Sequence, residues 1–191
     1  MVQLPVNLIR CRDQQIVDAT LLSLAENHVA DFESLWQDQL RQFSQEDKYW
    51  DWAFKRRLTI NNVNYECYAI ECEGSTQGLM MLETQSHRSW FYSGKRLVYV
   101  EALSVAPWNR QQVQSPPRFK TVGTVLLEFS RLRSVELGYE GRVGLQALPG
   151  AEGFYERRNM MRSDIDPDDL IDPDDEQLTY FEYPPLNRPQ P

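Results

Sequence analysis

Apolar positions along this chain recur at two spacings, and the change from one to the other predicts the elements. Alternation marks a half-buried strand, and a 3.6-residue period marks an amphipathic helix. Gln3 to Arg12, QLPVNLIRCR, predicts a first strand. Asp18 to Trp36 predicts a helix, with Leu21, Leu22, Leu24, Ala25, Val29 and Phe32 as its apolar stripe and Asp18 as its cap. Ser44 to Leu58 predicts a second helix, with Ser44 and Asp47 at capping-box spacing. Asn61-Asn62 is a turn signal. Tyr65 to Glu71 alternates as a strand, Gly74 to Gly78 predicts a turn, and Leu79 to Glu83 predicts the next strand. Arg88 to Gly94 reads as a connector.

The clearest pattern lies between Leu97 and Met161. LVYVEALSV, Leu97 to Val105, predicts a strand that Pro107 ends, because proline has no N–H to give to a sheet. A loop follows, and then TVGTVLLEFSRLRSVELG predicts a helix. Its apolar face is Val122, Val125, Leu126, Phe129, Leu132 and Val135, and Gly138 stands at its C-terminal end. Arg142 to Ala147 predicts a short strand, and Gly150 to Arg157 a short helix or turn. Leu178 to Tyr183 predicts a final strand. A strand that feeds a loop into a helix leaves backbone N–H groups unused at the helix start, where the helix dipole adds positive charge. Gly123 just inside the helix, with Arg118 and Lys120 before it, predicts an anion site for a di- or triphosphate.

The order of VEALSVAPWNR, RFKTVGTVLL and GAEGFYERRNM resembles the GNAT superfamily of acyl-CoA-dependent N-acyltransferases. Glu101, Leu103, Val105 and Pro107 fall on that family's strand pattern. Arg118 to Gly123 fall on its R/Q-x-x-G-x-G/A loop, with Thr121 where the first glycine usually stands. Ala151, Phe154 and Tyr155 fall on its late helix, and Leu148 stands where an asparagine is frequent. The resemblance implies one domain over the whole chain, with a mixed, mostly antiparallel α/β sheet. Helices would cover both faces, and one parallel strand pair would splay apart around the pantetheine arm. It implies that acetyl-CoA is held by Leu103, Ser104 and Val105 on the strand. At the pyrophosphate, Arg118, Lys120, Thr121, Val122, Gly123, Thr124 and Val125 would hold it.

Composition changes this picture in two ways. The 191 residues carry a formal charge of −8, but Asp164, Asp166, Asp168, Asp169, Asp172, Asp174, Asp175 and Glu176 account for all of it. The rest of the chain is formally neutral and offers no broad basic surface, which argues against nucleic-acid binding. The acidic segment, 162–177, repeats Asp-Pro-Asp-Asp and lacks the glycine and spacing of an EF-hand loop. It reads either as a solvated loop or as an acidic rim that draws in a cationic amine. A proline-rich tail, 184–191, follows the last strand. Secondly, Cys11, Cys67 and Cys72 show no metal-ligand spacing, and no apolar run is long enough for a membrane span. With no signal-peptide pattern at the start, these features predict a cytoplasmic protein that uses no metal and no membrane, with a homodimer as its possible assembly.

The resemblance also implies the chemistry. Tyr155 is the candidate acid for the departing thiolate, since a phenol near about 10 and a thiol near about 8.5 exchange protons readily. Its other reading is an aromatic that packs the short helix. Glu101 is the candidate base, directly or through water, because it stands on an otherwise apolar strand and burial would raise its pKa. Its other reading is a structural partner for an arginine. His28 and His87 fall on no catalytic motif and read as surface or structural residues. Tyr49 and Trp52, in the aromatic run Tyr49–Phe54, read as core or as acceptor contacts. No cysteine lies in the motif stretch, so direct attack by a small-molecule or peptide amine is expected over an acyl-enzyme. The alternative is a degenerate domain that binds acyl-CoA or a protein partner without turnover.

Overall fold

The computed structural model describes residues 2–163 and 178–186. Nine strands form one sheet in the order β6-β1-β2-β3-β4-β5-β7-β9-β8. The strands are β1 Gln3–Arg10, β2 Gln15–Ser23, β3 Tyr65–Cys72, β4 Ser75–Glu83, β5 Val98–Val105, β6 Phe119–Lys120, β7 Val143–Ala147, β8 Met161–Ser163 and β9 Thr179–Tyr183. The helices are α1 Glu26–Asp31, α2 Gln37–Gln42, α3 Trp52–Asn61, α4 Val122–Glu136 and α5 Glu152–Glu156. The pairs β1–β2, β1–β6, β2–β3, β7–β9 and β8–β9 are antiparallel, and β5–β7 is parallel. That parallel ladder has three rungs, the last being Val100↔Leu145, and both strands run on past it to Val105 and Ala147. The expected mixed, mostly antiparallel sheet with one short parallel pair is what the chain builds.

The chain divides into two compact units, Met1–Leu82 with Ala102–Phe129, and Glu83–Glu101 with Ser130–Pro191. In the first unit, Phe32, Trp36, Leu40, Trp52, Ala69, Leu79 and Met81 form the core under the helices. Gly78 lies where β4 passes beneath α4. A Cβ there would sit 2.7 Å from Val122 Cγ1, so a larger residue would push the first turn of α4 away. In the second unit Val98, Val143, Leu145, Tyr155 and Phe181 are buried. Gly138, at φ 79°, closes α4, and the Tyr139 N–H reaches back to the Ser134 carbonyl at 2.8 Å.

Four expectations are corrected. Asp18 to Ser23 is strand, not helix. It belongs to β2, which pairs with β1 through a turn at Gln14 with φ 57°. Along β2 the buried residues are Ala19 and Leu21, a period of two, and the helix begins only at Glu26. The second helix is split: a 3-10 turn covers Glu46–Tyr49 and α3 starts at Trp52. Asp51, not Ser44, caps it, accepting from the Phe54 N–H at 2.7 Å. The turn placed at Gly74 to Gly78 closes at Gly74, and Ser75 already begins β4. On α4 the buried face is also rotated. Leu132 and Val135 are exposed, while Leu127, Ser130 and Ser134 are buried. The acidic segment lies outside the described residues apart from Arg162 and Ser163, which with Met161 form β8.

Asp47 is drawn away from helix capping by a stronger partner. Its carboxylate receives Arg110 Nη1 at 2.8 Å and Nη2 at 2.5 Å, and Ser104 Oγ donates to it at 2.5 Å. Burial pushes the Asp47 carboxyl up, but Arg110 and Ser104 more than offset this and hold it below the usual carboxylate range. A carboxyl depressed in the folded state stabilises above its unfolded pKa of about 4 and loses that contribution as pH falls through the folded value. Asp47→Asn should therefore lower stability at neutral pH by about 3 kcal/mol, because it strands a largely buried guanidinium. Urea unfolding should also show less acid sensitivity below pH about 4 than in the parent. Equal acid limbs in the two proteins would show that the pair does not carry that dependence.

Candidate active site

The loop before α4 is fixed by one buried amide. Gln77 Oε1 accepts from Trp108 Nε1 and from Asn109 Nδ2, each at 2.9 Å, and Gln77 Nε2 donates to the carbonyls of Cys72 and Ser75 at 3.1 Å. Asn109 Oδ1 in turn accepts the Phe119 N–H at 2.9 Å. The loop thus returns to the sheet as β6, against β1, and delivers Thr121 to the helix start. Thr121 has φ 73°, the left-handed conformation for which a glycine would be suited. A β-branched residue is strained there. The chain turns at Thr121, and the first N–H groups of α4, at Val122, Gly123 and Thr124, have no acceptor within the helix.

The expected cofactor residues all lie in the first unit, and the structure qualifies three of them, Arg118, Ser104 and Val105. Arg118 does not stand alone: its Nη2 donates to Glu73 Oε2 at 2.9 Å, on a carboxylate that also takes Arg10 at 2.7 Å. Lys120 is exposed on β6, directly before the left-handed turn. On β5, Ser104 is committed to Asp47, and the Val105 carbonyl accepts Arg110 Nε at 2.8 Å. Leu103 and Val105 are half-buried.

Both expected catalytic residues lie in the second unit. Tyr155 is buried on α5, its ring 5.7 Å from that of Phe181. Burial pushes its phenol well above the usual range, so it stays protonated but parts with its proton less readily. Glu101 is exposed on β5 and is not the buried carboxylate that was expected. Two residues before it on the same face, Tyr99 is pushed up to about 12 by burial and by the charge of Glu101.

Sequence reading missed a neighbouring group. Glu83, at the end of β4, is buried, and its carboxylate accepts the N–H groups of Gln85 and Ser86 at 2.9 Å and His87 Nδ1 at 2.8 Å. The His87 ring stacks on Tyr99, with centroids 4.0 Å apart and planes 7° apart. The signal was present as a Glu-to-His spacing of four at a strand end. His28 is different. Its Nδ1 accepts the Ala25 N–H and its Nε2 meets Glu71, both at 2.8 Å, so it is structural as expected. Tyr49 is exposed and Trp52 buried; both line a cavity of about 340 Å³ together with Phe32, Glu33 and Trp50. No group of metal-ligating side chains occurs among the described residues, and no described helix is long and apolar enough to cross a membrane.

No family model and no curated protein sequence matches the chain. Solved structures do match. An aminoglycoside 6'-N-acetyltransferase complexed with coenzyme A superposes with a TM-score of 0.58 at 14% identity, over 89% of this chain and 99% of that one. The PaiA N-acetyltransferase of Thermoplasma acidophilum, also with coenzyme A, gives 0.51 at 10% identity over 87% and 98%. Glucosamine-6-phosphate N-acetyltransferase of Arabidopsis thaliana gives 0.51 at 18% identity over 81% and 99%. The fold of this chain is therefore that of the GNAT acetyltransferases.

Thr121→Gly isolates the strain at the helix start. Relief of the left-handed threonine is worth about 1–2 kcal/mol, and the more flexible unfolded chain offsets about 0.4–1 of that. A net gain of roughly 0.5–1 kcal/mol in denaturant unfolding is expected. A loss of stability would show that the Thr121 hydroxyl, 2.5 Å from the Lys120 carbonyl, outweighs the strain.

Proposed function

We propose that this chain is an acyl-CoA-dependent N-acyltransferase that moves an acetyl group from acetyl-CoA to a primary amine. The observation that carries the reading is the start of α4, where a left-handed turn at Thr121 presents backbone N–H groups in a fold shared with coenzyme A complexes. The pyrophosphate sits on the N–H groups of Val122, Gly123 and Thr124, where the helix dipole favours negative charge, while the Val125 N–H, expected among them, is taken by the Thr121 carbonyl at 2.8 Å. Lys120 supplies the exposed cation there, and Arg118 contributes less, being paired with Glu73. Leu103, Ser104 and Val105 provide the strand along which the pantetheine arm lies.

The reaction is direct attack. The amine nitrogen bonds to the thioester carbonyl carbon, the C–S bond breaks, and coenzyme A leaves as a thiolate that takes a proton. Tyr155 gives that proton, and Glu101 faces the amine. An acyl-enzyme is disfavoured because burial pushes the Cys67 thiol up to about 12, leaving it protonated and unreactive. The acceptor is a cationic small molecule or peptide. The acidic run between Asp164 and Glu176 motivates this, and an aminoglycoside, named for one of the similar structures, is such an amine. The burial of Tyr155 favours a second reading, a domain that binds acyl-CoA without turnover.

Acetyl-CoA should raise the melting temperature, since a ligand specific to the folded state stabilises it by mass action. Gly123→Glu, which puts bulk and negative charge at the pyrophosphate, should abolish the rise. A parent that shows no shift with acetyl-CoA in large excess would end the acyl-CoA reading. Tyr155→Phe keeps the ring and should keep the shift, while kcat falls by about 100-fold, the low end for a positioned acid. A kcat equal to the parent's at saturating acetyl-CoA, with chemistry limiting, would return Tyr155 to packing alone.

A further inference from the structure

The two histidines of this chain are held in opposite ways. His28 is buried and uses both ring nitrogens, one on a backbone N–H and one on Glu71. His87 is half-buried and has one nitrogen on a carboxylate. That carboxylate, Glu83, is itself fixed. Backbone N–H groups of Gln85, Ser86 and His87 all donate to it, and these bonds with His87 hold it below the usual range against the upward push of burial. An ionised carboxylate only accepts, so Nδ1 is the donor and the proton of the neutral ring sits there. The lone pair is then on Nε2. The ring cannot turn freely, because it lies flat on Tyr99. Tyr99 and Glu101, two apart on β5, share a face of the strand, and the Tyr99 hydroxyl reaches Gln146 Oε1 on β7 at 3.5 Å.

We infer that His87, oriented by Glu83 and by the Tyr99 ring, accepts the proton of the amine through Nε2, on the face of β5 that carries Glu101. The inference rests on the transferase reading and divides its amine side into two roles. Glu101 draws the ammonium form in by charge, and one proton passes from it to water to give the free amine. His87 takes the second proton as nitrogen bonds to the acyl carbon. Proton balance is complete: of the two protons that leave the ammonium nitrogen one goes to water and one to Nε2, Tyr155 gives one to the thiolate, and the imidazolium and the tyrosinate are reset through solvent. Among the described residues, the charged and titratable groups in contact with the ring are Glu83 from β4 and Tyr99 from β5; Glu101 shares the Tyr99 face of β5, and Arg88 follows on its own loop. The Arg88 guanidinium is turned onto the Gln85, Ser86 and His87 carbonyls.

Two measurements test this. Diethyl pyrocarbonate, read by mass, should modify His87 well before His28, and Glu83→Gln should alter the rate at His87 only. Equal rates at the two histidines, or none at His87, would overturn the inference without any acceptor being known. Thiol release from acetyl-CoA is then followed with spermidine, n-butylamine and poly-lysine as probes. His87→Gln should lower kcat by about 100- to 10,000-fold while the acetyl-CoA melting shift is retained. The variant's remaining rate should climb with pH alongside the free amine. Parent-like kcat and pH profile in His87→Gln overturns the assignment, as does an absence of turnover with all three probes while acetyl-CoA still binds. Loss of the melting shift in the parent is a different result, and it removes the transferase reading itself.

Discussion

The first unit depends on satisfying polar groups that the fold has taken out of water. An amide or hydroxyl buried without a partner costs about 1–3 kcal/mol, and a charge more. Gln77 is fully buried, and both ends of its amide are used, the oxygen by Trp108 and Asn109 and the nitrogen by Cys72 and Ser75. Asp47 and Arg110 meet in the same spirit, two charges in a bidentate pair with Ser104 between them. Each bond ties a loop to the sheet at a fixed angle. The backbone entering α4 has few ways to lie other than the one that exposes its first N–H groups.

The two sets of expected functional residues are supported differently. Around Thr121 the main chain does the work, and side-chain identity matters through strain and small size. In the second unit the side chains matter most. Glu83, Glu182 and Tyr180 are all buried polar groups with partners: Ser89 Oγ donates to Glu182 at 2.5 Å, and the Tyr180 hydroxyl donates to Glu182 at 2.7 Å. Tyr180 also lies flat on Trp90, with ring centroids 3.7 Å apart. These contacts make the segment between β4 and β5 an ordered scaffold and not a loose connector, which is the condition for a histidine on it to hold a defined direction.

What could be read from the chain follows from the range of the forces. The segments with a strong apolar pattern were legible: β3, β5, β7 and β9 stand where strands were expected, β5 with alternating burial, and α4 is periodic, ends in glycine and follows a basic turn. The run Asp18 to Ser23 was not legible, because its leucines suit a helix and only pairing with β1 selects the strand. Its hairpin turn carries no glycine, since Gln14 takes the positive φ. The face of α4 was misjudged because Ser130 and Ser134 are buried in place of Leu132 and Val135. Ser134 Oγ is satisfied by the Arg142 carbonyl at 2.7 Å, a partner no local pattern reveals. At the site, the motif residues were legible as positions but not as environments. The exposure of Glu101 and the pairing of Arg118 with Glu73 are tertiary facts, and so is the orientation of His87.

Among the described residues, the outermost strands of the sheet are also its shortest, β6 with two residues and β8 with three. A sheet border exposes unpaired N–H and C=O groups on which another chain can add a strand, and short borders blunt that hazard. β6 covers β1 only at Ile9 and Arg10, so among the described residues the outer border of β1 from Gln3 to Leu8 carries no paired strand. The long strands β2, β3 and β4 lie interior to the order. The dipeptide Phe119-Lys120 thus guards the Ile9–Arg10 end of that border while it carries the chain into the helix, and the rest of it is where an added strand would pair.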